Sequence, residues 1–133
     1  MDKSTLIKII VLIRSVPTTE PNFYPIVETA TEYIKANLAE EVFIPEIAAK
    51  VNTSVSYLSY LFKSVTGISI TEYRNEMRLT AAKQMLISTG KSIKDISSAC
   101  GFNSPSYFAE VFTRSERVSP SEFRKYHQTA AHL

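Results

Sequence analysis

Apolar residues return at every third or fourth position through most of this chain, and the breaks in that rhythm cut it into short helices. Ile44, Ile47, Ala48 and Val51 follow i, i+3, i+4, i+7 spacing, which lines one side of a helix, and Asn52, Thr53 and Ser54 then supply a turn with an N-cap residue. A second helix starts from Ser54. Leu58, Leu61, Phe62 and Val65 form its apolar side, and Gly67 stands where a left-handed C-terminal cap costs glycine little. The same rhythm resumes further on. Ser92 and Asp95 read as a capping box, Ile93, Ile96 and Ala99 as the inward side of a short helix, and residues 101–104 as a turn. Pro105 then falls at the first position of a helix capped by Ser104.

These two stretches are copies of one another. Ile44 and Ile47 match Ile93 and Ile96 at an offset of 49, whereas Tyr57, Leu58, Phe62, Ser69, Glu72, Tyr73 and Arg74 match Tyr107, Phe108, Phe112, Ser119, Glu122, Phe123 and Arg124 at an offset of 50. The second copy therefore holds one extra turn residue. Each copy is a short helix, a tight turn and a second helix.

Between the copies, residues 69–88 predict a long helix opened by a Ser69-x-x-Glu72 box and stopped by Gly90. Ile70, Tyr73, Met77, Ala81 and Met85 with Leu79, Ala82 and Leu86 give it two apolar stripes, so it can serve a separate unit with each. Its roughly 18 residues span about 27 Å, near the ~34 Å of one DNA turn. A last helix runs over about residues 119–128, with Pro120 in its first turn. Ahead of the repeat, Leu6, Ile9, Ile10 and Ile13 predict a short amphipathic helix, residues 17–21 a linker, and Ile26, Ala30, Tyr33, Ile34 and Leu38 a helix that packs on the first copy. The expected architecture is all-α: two helix-turn-helix subdomains joined by a long central helix, plus an N-terminal support or linker helix. The expected divisions are residues 1–22 (helix and linker), 23–68 (first subdomain), 69–90 (central helix), 91–128 (second subdomain) and 129–133 (tail).

Composition narrows the function. Of 133 residues, 44% are hydrophobic and 21% charged, an ordinary globular mixture, and three Gly with no Trp argue against turn-dense β architecture. Cys100 is the only cysteine, so neither an internal disulfide nor a cysteine-rich zinc site can form, and a cytoplasmic home is expected. The densest apolar run, residues 6–13, falls short of the roughly 20 residues of a membrane helix and lacks a signal-peptide cleavage pattern. The net charge of +2 is modest, but residues 1–40 carry −1 and residues 41–133 carry +3, so the basic excess lies with the repeat. His127 and His132 sit in the tail without a second ligand at metal spacing, and Cys100 reads as a small buried hydrophobe. No Gly-rich phosphate loop or catalytic triad can be named, so no enzyme activity, cofactor or metal is expected.

The runs SVSYLSYLFK at residues 54–63, SYFAEVF at 106–112 and SPSEFR at 119–124 carry a wider likeness, together with Gly67, Ser69, Tyr73, Arg78, Leu79, Ala82 and the Gly101-Phe102 pair. Over about residues 26–126 the chain resembles the C-terminal DNA-binding domain of the AraC/XylS family of bacterial transcription regulators. The resemblance implies two second helices set in successive major grooves of promoter DNA, RNA polymerase as a partner, and a nucleoid-associated protein. Many relatives place a sensor domain of roughly a hundred residues upstream, for which this chain has no room. It is either a stand-alone regulator or the remainder of a chain whose residues 6–13 once met an upstream sensor or dimerisation domain.

The implied base-contact positions of the first copy are Ser56, Ser59 and Tyr60, whose hydroxyls can meet base edges less discriminatingly than a bidentate Arg; Lys63 is a phosphate contact. In the second copy the corresponding surface is Ser106, Ala109 and Glu110, with Thr113, Arg114 and Arg117 facing phosphates. Glu110 either accepts from cytosine N4 or stands as a solvated acid that weakens this half. Arg117 falls where the first copy has Gly67, so the helix end is either reshaped or less stable. Arg78 and Arg124 match positions that anchor helix ends or pack. A second function class remains open: a protein-interaction module of the same fold, an anti-regulator, because Ser56, Ser59, Tyr60, Ala109 and Glu110 include no Arg, Lys, Asn or Gln.

Overall fold

In the computed structural model, residues 24–41 and 44–131 are described, and they form seven helices with no strand among them. These are α1 (Tyr24–Ala36), α2 (Ile44–Lys50), α3 (Val55–Thr66), α4 (Ile70–Ser88), α5 (Ile93–Ala99), α6 (Pro105–Glu116) and α7 (Pro120–Ala131). The expected helix at residues 6–13, its linker, and His132 lie outside the described residues. Helix α7 reaches Ala131, past the expected end at 128, and His127 belongs to it rather than to a tail. The His127 ring lies against Phe123, with centroids 4.2 Å apart.

The chain divides into two compact units at Met77 and Arg78, inside α4. The apolar positions of α4 explain why. Ile70, Tyr73 and Met77 join a core with Val27, Ala30 and Ile34 of α1, Ile47 and Ala48 of α2, and Leu58, Leu61, Phe62 and Val65 of α3. Leu79, Ala82 and Leu86 belong to a second core with Ile96, Cys100, Phe102, Phe108, Val111 and Phe112. Ala81 and Met85, expected on one stripe with Ile70, Tyr73 and Met77, pack against this second core instead, so the apolar positions serve the two units in succession along the helix.

Within each unit the chain solves the same steric problem in the same way. In the first, Asn52 takes a left-handed φ of 58° after α2, and the Thr53 N–H reaches back to the Ala48 carbonyl at 3.0 Å. In the second, Gly101 takes φ 91° after α5, and the Phe102 N–H reaches the Ser97 carbonyl at 3.0 Å. This six-to-one closure satisfies a carbonyl that the helix end would otherwise leave unpaired. Thr53 and Phe102 are equivalent, as are the caps Ser54 and Ser104, so the extra residue of the second copy is Asn103. The aromatic packing is also repeated: Phe62 meets Tyr73 edge-on at 5.6 Å, and Phe112 meets Phe123 edge-on at 5.3 Å.

Two expectations need correcting or resolving. Ala99 is exposed, and the inward side of α5 is made by Ile93, Ile96, Ser97 and Cys100. Ser97 is 1% exposed, and its hydroxyl donates to the Ser104 carbonyl at 3.3 Å, so a polar side chain replaces the Ala48 of the first copy. At the end of α6 the backbone is not reshaped. Arg117 adopts φ 67°, ψ 7°, close to the φ 83°, ψ −6° of Gly67, and both N–H groups reach the carbonyl four residues back at 2.8 Å. A side chain in that region costs roughly 1–2 kcal/mol, whereas introducing glycine costs about 0.5–1 kcal/mol in chain entropy. Arg117→Gly is therefore expected to stabilise the protein by about 0.5 kcal/mol. Urea unfolding checks this, and a loss of stability would show that the Arg117 side chain makes a compensating contact.

Candidate nucleic-acid interface

The Ser54 hydroxyl accepts the Tyr57 N–H at 3.1 Å and starts α3; the Ser104 hydroxyl accepts the Tyr107 N–H at 3.0 Å and starts α6. Each helix then buries one side. In α3, Leu58, Leu61, Phe62 and Val65 turn inward, which leaves Ser56, Ser59, Tyr60 and Lys63 on one exposed stripe at i, i+3, i+4, i+7 spacing, with Tyr60 69% exposed. In α6, Phe108, Val111 and Phe112 turn inward, and Ser106, Glu110 and Thr113 share the exposed side. Ala109 is only half exposed, unlike its counterpart Ser59. Arg114 is exposed beside Glu110, and Arg117 is exposed just beyond the helix. All of the residues singled out from the sequence are thus at least partly accessible on the capped second helix of a unit or at its end.

The two surfaces differ in charge. Helix α3 carries Lys63 as its sole ionic side chain, whereas α6 carries Glu110 and Glu116 against Arg114. Glu116 is paired with Lys83 of α4 at 2.9 Å, and Arg114 Nη2 donates to Glu110 Oε1 at 2.7 Å. That second contact was not anticipated, although its i, i+4 spacing is visible in the sequence. Also missed were Tyr57 and Tyr107, 40% and 43% exposed in the first turns of α3 and α6. Their signal was a tyrosine repeated at an offset of 50 away from both buried stripes.

The arginines expected to anchor do so. Arg124 Nε donates to the Leu86 carbonyl at 3.1 Å and Nη2 to that of Thr89 at 3.3 Å, which serves carbonyls at the end of α4. Arg78 is 5% exposed, with its guanidinium 5.8 Å from the Phe102 ring centroid. Burial pushes the Tyr73 hydroxyl up to about 12 and raises the Cys100 thiol, a rise that Arg78 opposes, so neither ionises near neutrality. No group of three or more His, Cys, Asp or Glu among the described residues could hold a metal. A groove of about 470 Å³ lined by Glu116, Val118, Glu122, Phe123, Tyr126 and His127 contains none of the residues expected to contact DNA. Among the described residues no helix is long and apolar enough to cross a membrane.

The helix-turn-helix domain family matches residues 47–126, which takes in both copies. A transcriptional regulator of Chromobacterium violaceum, described by its AraC-type DNA-binding domain, is 34% identical and superposes with a TM-score of 0.73 over 77% of this chain and 92% of that one. The chain belongs to the AraC/XylS family. The C-terminal domain of AraT, a response regulator from Geobacillus stearothermophilus, is 30% identical with a TM-score of 0.72, covering 77% of this chain and 85% of that one. The arabinose operon regulatory protein of Escherichia coli is 38% identical over 99 residues, which is 74% of this chain and 34% of that protein. The chain spans about a third of the length of such curated AraC/XylS relatives. Relative to the first unit, the second is set apart by Arg117, which stands where Gly67 caps α3, and by the Glu110–Arg114 pair.

Proposed function

We propose that this chain binds double-stranded DNA sequence-specifically and regulates transcription, with α3 and α6 entering adjacent major grooves of a promoter. One observation carries the reading: the same cap, turn and helix occur twice, each time leaving a polar stripe exposed on the second helix. In the first unit, Ser56, Ser59 and Tyr60 meet base edges and Lys63 a phosphate; in the second, Ser106, Ala109 and Glu110 meet bases, and Thr113, Arg114 and Arg117 face the backbone. The role is binding rather than catalysis, carried out in the cytoplasm at the nucleoid. RNA polymerase is the proposed protein partner, and a sensor or dimerisation domain is the proposed companion, since matched relatives are about twice as long as this chain. A purely protein-binding role has in its favour only the lack of Arg, Lys, Asn and Gln at the base-facing positions.

Salt-dependent gel shifts on genomic promoter fragments test the reading. Lys63→Ala is expected to weaken every duplex alike and to reduce the salt slope by about 1. Ser59→Ala combined with Tyr60→Ala is expected to change which fragments are preferred, by roughly 1–3 kcal/mol at the affected base pairs. Absence of binding to any genomic fragment at low salt would remove the proposal.

A further inference from the structure

The exposed surface of α6 holds one organised pair. Arg114 Nη2 donates to Glu110 Oε1 at 2.7 Å, with the two side chains 71% and 63% exposed. An accessible pair one helical turn apart contributes little to stability. Its consequence is spatial: a carboxylate acceptor is held beside a planar fork of donors on the side of α6 that also carries Ser106 and Thr113.

We propose that Glu110 and Arg114 act together as a single reading unit for one C·G base pair. This rests on α6 being a DNA-reading helix and adds what that helix selects, with Arg114 turned to a base edge in place of the backbone. In the major groove a C·G pair presents the cytosine N4–H donor next to the guanine O6 and N7 acceptors. N4 and O6 are themselves joined by a Watson–Crick hydrogen bond of about 2.9 Å. Donor and acceptor on the base pair therefore lie at nearly the separation of acceptor and donor on the protein. The Glu110 carboxylate accepts from N4–H, while the Arg114 guanidinium donates to O6 and N7. Five N–H groups on the guanidinium let its contact with Glu110 persist in the complex. Replacing the pair by T·A in the same orientation sets thymine O4 against the carboxylate and the adenine N6 amino group where guanine O6 accepted, so those two contacts become repulsive and only the N7 acceptor remains for the guanidinium. The pairing also cancels the attraction of Arg114 for phosphates in general, so the second unit gains selectivity more than affinity.

The test is selection of binding sites from a random duplex library by the intact chain, by Glu110→Ala, by Arg114→Ala and by the double variant. Titrations on the selected site and on its C·G to T·A derivative follow. Thermal melts establish that the variants stay folded, as expected for exposed positions. The intact chain should enrich a C·G column and prefer it over T·A by about tenfold or more. Each single variant should lose that preference in the same column and leave the other columns unchanged, and the double variant should lose no more than either single one. Two results overturn the inference: the single variants relax different columns or none, or Glu110→Ala strengthens all duplexes equally, as a solvated acid repelling phosphates would. If the intact chain enriches no motif, DNA reading itself fails; if it enriches one indifferent to both variants, only the pair reading fails.

Discussion

Phe112→Ala is expected to destabilise the second unit by about 3–5 kcal/mol. The ring is fully buried, 5.7 Å from Phe108 and 5.3 Å from Phe123, and it joins α6 to the start of α7. Alanine removes the apolar area and leaves a void bounded by two aromatic rings, which cannot collapse without moving helices. Because the two cores draw on separate stretches of α4, the loss should be local. Hydrogen exchange resolved by segment checks this: protection should fall across α5, α6 and α7 while α2 and α3 keep theirs. A uniform loss across the chain would show that the two cores unfold as one.

The next largest effect is expected at Arg124. Its guanidinium donates to carbonyls of Leu86 and Thr89, and charged hydrogen bonds of this kind contribute roughly 1.5–3 kcal/mol. Arg124→Ala is expected to cost about 2–3 kcal/mol, since it leaves partly covered carbonyls unpaired and removes a half-buried stem. Arg124→Lys should recover less than half of that, because one ammonium cannot span two acceptors as a planar fork does. Urea unfolding of the two variants measures both numbers. Full recovery with lysine would mean that charge near the end of α4, rather than fork geometry, is what matters.

Much of the architecture was readable because it is written in local chemistry. Ser54, Ser69, Ser92, Ser104 and Ser119 each accept the N–H three residues on, as expected of serine ahead of an apolar-periodic run. Leu58 and Phe62, and likewise Phe108 and Phe112, point inward as their spacing requires. The misses lie where local rules are silent. Apolarity places Ala99 on the inward side, yet it is exposed, and Ser97 is buried because the turn supplies a carbonyl for its hydroxyl. The partners of Arg124 are more than thirty residues away, so no window of sequence displays them. Arg117 breaks the glycine preference of its position, and only backbone angles reveal that it adopts the left-handed conformation anyway. For the surface, spacing gave the exposed stripes of α3 and α6, but the Glu110–Arg114 contact depends on which rotamers face each other.

The chain's one thiol is a gauge built into the second unit. Cys100 is 2% exposed, its sulfur lies 3.9 Å from that of Met85, and burial raises its proton affinity, so a disulfide reagent meets neither an accessible atom nor a thiolate while the core is closed. Its rate of labelling in native buffer therefore counts breathing events of that half alone, with no engineered probe, and slower labelling in the presence of a ligand would measure how firmly that ligand clamps it shut.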